Sequence, residues 1–157
     1  VGPVYLRFGR PKVPVFTDPN QKFEIGKGIK LIEGNDVTIA ATGHLVWESI
    51  EAAKFLNELG ISAEVINLHT IKPLDEKIIL ESVSKTKCIV SAEEHNYLGG
   101  LGESISRVLS KNMPLPQEFV ATDDTFGESG TPAQLMNKYG LNFDSIVEKV
   151  KKVIKRK

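Results

Sequence analysis

Val37-Thr38-Ile39-Ala40-Ala41-Thr42-Gly43, then Leu45 to Leu59, then Ala63-Glu64-Val65-Ile66-Asn67-Leu68 is the stretch that decides the fold. The first run is short, apolar and rich in β-formers, and it stops at a glycine. The second places Val46, Ile50, Ala53 and Leu56 on one helical face, and Gly60 suits the position just past a helix end. The third run is again a short apolar strand. A strand, a helix and a strand within about thirty residues is the unit from which parallel sheets are built.

The same rhythm continues downstream. Pro73 starts a turn, Asp75 is placed as an N-cap, and Ile78, Ile79, Leu80 and Val83 carry a short helix. Cys88-Ile89-Val90-Ser91-Ala92 reads as a third strand. Glu93 to Gly102 reads as a loop that feeds a helix through Leu109. Pro114 and Pro116 bracket a break, and Glu118-Phe119-Val120-Ala121-Thr122 is a fourth strand. Thr131-Pro132 suits an N-cap followed by proline at the first helical position, in a helix ending at Gly140. A last amphipathic helix spans Asn142 to Lys155, with Phe143, Ile146, Val147, Val150 and Ile154 facing inward. Upstream, Phe23 to Ile32 suits an antiparallel hairpin at the sheet edge. The expected fold is α/β: three layers around a mostly parallel sheet of about five strands, with one antiparallel edge strand.

Composition narrows the function. Twenty basic and twenty acidic residues cancel, so no basic excess points to nucleic acid. Apolar content of 41% and charged content of 25% are ordinary for a globular core. No apolar run approaches the ~20 residues that cross a bilayer. A single cysteine, Cys88, excludes an intrachain disulfide and fits a cytoplasmic location. Abundant Lys, Glu and Ile, with few Cys and Met, suit a thermophile. The basic last turn complements a helix dipole.

Four groups of residues invite a chemical reading. Gly99, Gly100 and Gly102 follow a strand and open a helix, where backbone N–H groups can approach an anion. Their spacing departs from a dinucleotide fingerprint, since Ile105 stands where the third glycine belongs. Close loop packing or a subunit contact is the preferred account of them. Glu93, Glu94 and His95 lie at the carboxyl end of a strand, the edge where open sheets hold ligands. They suit acid–base work or a metal, and they suit structural or interface hydrogen bonds as well. His44 and His69 also follow strands, which suits a rim shared by all three histidines, although sequence alone does not bring them together. The polar loop from Asp123 to Pro132 suits turn formation and helix capping. Arg7 and Arg10 offer planar forks for phosphate or carboxylate, or for a surface salt bridge.

The opening Val1-Gly2-Pro3-Val4-Tyr5-Leu6-Arg7-Phe8-Gly9-Arg10-Pro11 alternates as a strand does and lacks an initiator Met. It is expected to be the end of a preceding domain, with this chain a C-terminal piece of a longer protein.

Taken together, these stretches resemble the C-terminal part of transketolase, especially split transketolases whose C-terminal half is a separate subunit. Gly2 to Arg10 looks like the end of that family's pyrimidine-binding domain. Ser91-Ala92-Glu93-Glu94-His95-Asn96-Tyr97-Leu98-Gly99-Gly100-Leu101-Gly102 is similar to a loop shared with deoxyxylulose-phosphate synthase. Phe126-Gly127-Glu128-Ser129-Gly130, with Leu135 and Tyr139-Gly140-Leu141 after it, looks specifically like transketolase. Asn67 to Asp75 fits the wider thiamine-diphosphate enzyme group.

The resemblance divides the chain into a terminal strand of the pyrimidine-binding domain (1–10), a connector (11–33) and the C-terminal domain (34–157). It implies a parent reaction in which a two-carbon ketol unit passes reversibly between sugar phosphates. Thiamine diphosphate and a divalent cation such as magnesium serve that reaction, in a dimer, or a heterotetramer when split. The diphosphate- and metal-binding motif and the cofactor-activating Glu are absent from this sequence, so catalytic residues and bound cofactors are not expected in it. Arg10 matches the family's Arg for the substrate phosphate, with Arg7 a weaker neighbour. The resemblance assigns no catalytic role to Glu93, His95 or the glycines. The chain by itself is then expected to be inactive, serving as scaffold and dimer contact. A small-molecule regulatory module is the alternative, and so is the C-terminal part of another thiamine enzyme, such as deoxyxylulose-phosphate synthase or a ketoacid dehydrogenase β-subunit. Phe126 to Gly130 argues against the last two.

Overall fold

The structure is a computed structural model that describes residues 2–6 and 12–157. Five strands form one sheet: β1 (Ile29–Ile32), β2 (Val37–Ala41), β3 (Ala63–Asn67), β4 (Ile89–Asn96) and β5 (Gln117–Thr122). Their order is β1-β3-β2-β4-β5. β1 pairs antiparallel with β3, and every other pairing is parallel. This is the mixed sheet that the alternation of strands and helices predicts.

Five helices accompany it: α1 (Leu45–Glu58), α2 (Glu76–Thr86), α3 (Leu101–Asn112), α4 (Pro132–Lys138) and α5 (Phe143–Ile154). Alternate side chains of each strand face opposite ways, and the core divides accordingly. Val37, Ile39, Ala41, Val65 and Val90 pack with α1 and α5 residues such as Leu56, Ile146 and Val150. On the other face Ala40, Ile66 and Ile89 pack with Ile79 and Val83 of α2 and Ile105 and Val108 of α3. Burying a Leu- or Ile-sized side chain contributes about 1.5–3 kcal/mol relative to leaving it exposed, so these two layers hold the sheet.

Capping follows the sequence closely. The Asp75 carboxylate accepts from the Ile78 N–H at 3.2 Å. Thr131 and Gln134 form a reciprocal capping box with Pro132 at the first turn, and Asn142 caps α5. Gly34 sits where any Cβ would lie 2.2 Å from the backbone of Ala63 and Glu64. Only glycine lets the turn before β2 approach β3 so closely.

The structure corrects several expectations. Phe23 to Ile32 is not a hairpin. Only Ile29–Ile32 is strand, while Gly26 and Gly28 donate to Thr70 Oγ1 and the Asp75 carboxylate. Those bonds hold residues 26–28 against the loop after β3 instead of beside a partner strand. β4 does not stop at Ala92 but continues to Asn96, which pairs with Thr122 of β5 past an irregularity. At the end of α5 Val153 is fully covered as well, and Ile154, half-buried, still packs against the core. Residues 2–6 pair with no strand among the described residues, and Val4, Tyr5 and Leu6 are exposed. The rest of the expected first strand, including Arg7 and Arg10, lies outside the described residues.

Candidate functional site

The parallel strands deliver their carboxyl ends to one rim. Thr42, Gly43 and His44 leave β2, His69 to Ile71 leave β3, and Glu93 to Gly102 cover the end of β4 and the turn into α3. A cleft of ≈ 370 Å³ opens there, lined by Thr42, Gly43, Ile71, Glu93, Glu94, His95 and the start of α3. This is the edge expected to hold Glu93, Glu94, His95 and the glycines, and the structure does bring them together.

Glu93 is the organising residue. Its side chain points to the α3 face and is 3% exposed. One carboxylate oxygen accepts from the Leu101 N–H at 2.7 Å and the other from the Gly102 N–H at 2.8 Å. The N-cap of α3 is Gly100, which has no side chain to offer. Glu93 supplies the missing cap from the neighbouring strand and places its negative charge at the positive end of the helix dipole. The anion that the glycine-rich turn attracts is therefore the chain's own carboxylate.

The glycines owe their identity to this packing. A Cβ on Gly100 would lie 2.3 Å from a Glu93 oxygen, and one on Gly102 would lie 2.4 Å from the Phe119 ring. Gly99 turns the chain at φ +75°, and its N–H donates to Glu103 at 2.6 Å.

The histidines share the rim but form no common centre. His44 Nδ1 lies 2.9 Å from Glu94 Oε2. His95 is exposed, with Nδ1 at 2.7 Å from the Asn96 carbonyl. His69 stacks on Phe23 with ring centroids 4.6 Å apart, and its Nδ1 meets Thr70 Oγ1 at 3.1 Å. Among the described residues no group of three or more His, Cys, Asp and Glu is placed to hold a metal. A diphosphate would meet Glu93 where it needs free N–H donors. The described residues thus do not fit thiamine diphosphate or its cation.

Two further carboxylates are buried at the opposite end of the sheet. Glu64 of β3 is 0% exposed and lies 2.5 Å from Lys85 of α2 and 3.5 Å from Lys30 of β1. Burial by itself raises its carboxyl pKa, but the bond from Lys85 and the charge of Lys30 win and hold it below the ordinary 4.5. Glu118 of β5 lies 2.9 Å from Lys152 and also bonds Arg156, both from the end of α5. Burial again opposes, and these two cations again bring the pKa below 4.5.

Two structural roles escaped the sequence. Glu93 as a cap was signalled only by a bare Gly at the helix start with no Ser, Thr, Asp or Asn before it. The connector's aromatics gave no periodic signal: Phe23 covers His69, and Phe16 lies 6.2 Å from Trp47 in the first turn of α1.

Residues 26–146 match the family described as transketolase, C-terminal domain. The chain is 43% identical over 156 residues to the 6-deoxy-6-sulfo-D-fructose transketolase subunit SqwH of Clostridium sp. (strain MSTE9), covering 99% of this chain and 48% of that protein. It is 38% identical over 159 residues to a putative transketolase C-terminal section of Methanocaldococcus jannaschii, covering 99% of this chain and 49% of that protein. A solved structure described as a split gene transketolase, inactive beta4 tetramer, superposes with a TM-score of 0.88. It is 43% identical, over 91% of this chain and 47% of its own. The chain spans about half the length of these relatives. Match, identity and superposition agree that the chain belongs to the transketolase family, through its C-terminal domain.

Proposed function

We propose that this chain is the C-terminal portion of a split-transketolase subunit, and that the complete enzyme passes a two-carbon ketol unit between sugar phosphates. The observation that carries the reading is the match of residues 26–146 to the family's C-terminal domain, with relatives themselves named as a transketolase subunit and a C-terminal section. Within such an enzyme this portion serves as scaffold and subunit contact. The rim supports that role: its buried carboxylate is used up on α3, and its histidines are dispersed. Thiamine diphosphate and magnesium are held by the rest of the enzyme, and Arg10 reaches the substrate phosphate there. The similar solved protein is described as a β4 tetramer, and on that ground this chain associates with copies of itself as well as with an N-terminal partner subunit.

Reconstitution tests the reading. The complete subunit, mixed with its N-terminal partner, thiamine diphosphate and magnesium, should transfer ketol units from a ketose phosphate to an aldose phosphate, and neither protein should do so alone. Activity with pyruvate as donor in place of a ketose phosphate would reassign it to another thiamine enzyme. In the active mixture Arg10→Ala should raise KM for sugar phosphates roughly 10- to 100-fold, the worth of a charge-assisted phosphate contact. Arg7→Ala should do less. An unchanged KM in Arg10→Ala removes that residue from the site.

A further inference from the structure

The connector is fastened to the domain by two kinds of contact. Residues 12–28 hold no helix or strand, and of residues 12–25 only Phe16 is not exposed. At the β1 end the fastening is polar. The Gly26 N–H donates to Thr70 Oγ1 at 3.2 Å and the Gly28 N–H to one Asp75 oxygen at 3.0 Å, while the other Asp75 oxygen caps α2. Upstream the fastening is aromatic: Phe16 rests beside Trp47, and Phe23 lies on the His69 imidazole. Between the two rings the chain folds on itself, with Asp18 accepting from the N–H groups of Asn20 and Gln21, so the rings are joined by a short, turned link. Phe23 is itself 66% exposed and withdraws little surface from water by sitting there. Its seat also has a cost. His69 Nε2 is buried and has no hydrogen-bond partner among the described residues, whereas Nδ1 meets Thr70 Oγ1. Whichever tautomer the ring holds, Nε2 is a donor or an acceptor deprived of water. A small apolar contact set against an unpaired buried nitrogen is a closure held near balance.

We infer that residues 12–25 are a releasable strap that gates His69: the segment lifts at Gly26, Nε2 meets water, and the clasp at Thr70 and Asp75 stays shut. Gly26 suits the hinge, since it stands at φ +83°, in the left-handed region that glycine enters freely. His69 shares a loop with Ile71, which lines the carboxyl-end cleft. The strap therefore decides whether that part of the rim presents an imidazole nitrogen or a phenyl ring. Release also pays out residues 12–25, up to about 3.3–3.6 Å apiece when extended, and so lengthens the tether between the upstream residues and β1. The device belongs to the connector and does not depend on the reaction proposed above.

Acylation of the imidazoles by diethyl pyrocarbonate tests it, on the full chain at neutral pH, followed peptide by peptide by mass spectrometry with the exposed His95 as reference. In the unaltered chain His69 should react roughly 10- to 100-fold more slowly than His95, as expected of an open state populated at about 1–10%. Phe23→Ala should raise the His69 rate on the order of 10-fold and leave His44 and His95 as they are. Phe16→Ala, which removes the other ring, should raise it less, and Phe23→Tyr, which keeps the ring, should not move it. Far-ultraviolet circular dichroism should be the same in all of them, because residues 12–25 hold no regular structure. Urea below the unfolding transition should change the His69 rate little, since lifting a strap exposes far less surface than unfolding the domain. A His69 that reacts as fast as His95 in the unaltered chain overturns the gate, as does one that stays equally slow in Phe23→Ala. A rate untouched by Phe16→Ala overturns the strap as a single unit, and a rate that climbs with urea as steeply as global unfolding overturns local release. None of these readouts measures ketol transfer, so the reconstitution assay succeeds or fails separately.

Discussion

The two ends of the sheet bury carboxylates by different means. At the amino end Glu64 holds Lys85 of α2, and Glu118 holds Lys152 of α5 and Arg156 just past its end. At the carboxyl end Glu93 pairs with no cation among the described residues and takes two backbone N–H groups at the start of α3. The first arrangement ties side chain to side chain at the edge of water: the Lys85 side chain is 36% exposed. The second ties a strand to a helix terminus and leaves no freedom of rotamer on the donor side. Charge pairs at the amino end serve stability. At the carboxyl end the same residue type fixes the start of α3 against the end of β4.

The sharpest way to break this comparison is Glu93→Ala. It orphans the Leu101 and Gly102 N–H groups in a buried position and should cost about 3 kcal/mol in urea unfolding, with a loss comparable to that of an ordinary surface change counting against the capping role. Lys85→Ala should cost less, about 2 kcal/mol, because Lys30 still faces Glu64 and the lost ammonium was partly in water. Raising salt to about 1 M should shrink the Lys85 effect and leave the Glu93 effect in place, since only the former depends on exposed charge. Equal salt responses would dissolve the distinction.

Acid sharpens it further. Glu64 and Glu118 have folded pKa values below their ordinary 4.5. Between those values the unfolded chain binds more protons than the folded one, so stability rises with pH there. The contribution is complete above 4.5 and is lost as pH falls through the lower folded values. Unfolding free energies followed from neutrality to about pH 3 should therefore drop, and the slope should flatten in Glu64→Gln/Glu118→Gln. An unchanged slope would assign acid sensitivity elsewhere. The smallest effect is expected of Lys138→Ala: its pair with Glu128 is open to solvent on both sides, and the melting temperature should not move measurably.

How much of this was legible in the sequence depends on the range of the interaction. Helices announced themselves through local spacing and caps, so Asp75 and Thr131-Pro132 were placed correctly, while Asn142, read as the first residue of the last helix, is its cap. The antiparallel edge was legible, but its length was not, because Gly26 and Gly28 hydrogen-bond to residues 44 and 47 positions away. The end of β4 was misjudged for the same kind of reason: Glu93-Glu94-His95-Asn96 has loop composition, and β5 pairing at Thr122 extends it. At the site, the rim position of Glu93, His95 and the glycines followed from topology. That Glu93 would fill the helix terminus did not, since it depends on a strand and a helix meeting in space.

The pair Phe16 and Trp47 has an optical consequence. Trp47 is the single tryptophan of the chain, and beside it stand the ring of Phe16 from the connector and the Lys54 ammonium at 5.5 Å. Its emission therefore responds to the seating of the connector on α1, without a label and without a background from other indoles. Lifting that segment from the domain hydrates one face of the indole and moves its spectrum to the red, so fluorescence can follow how the upstream chain engages this domain while the sheet itself stays folded.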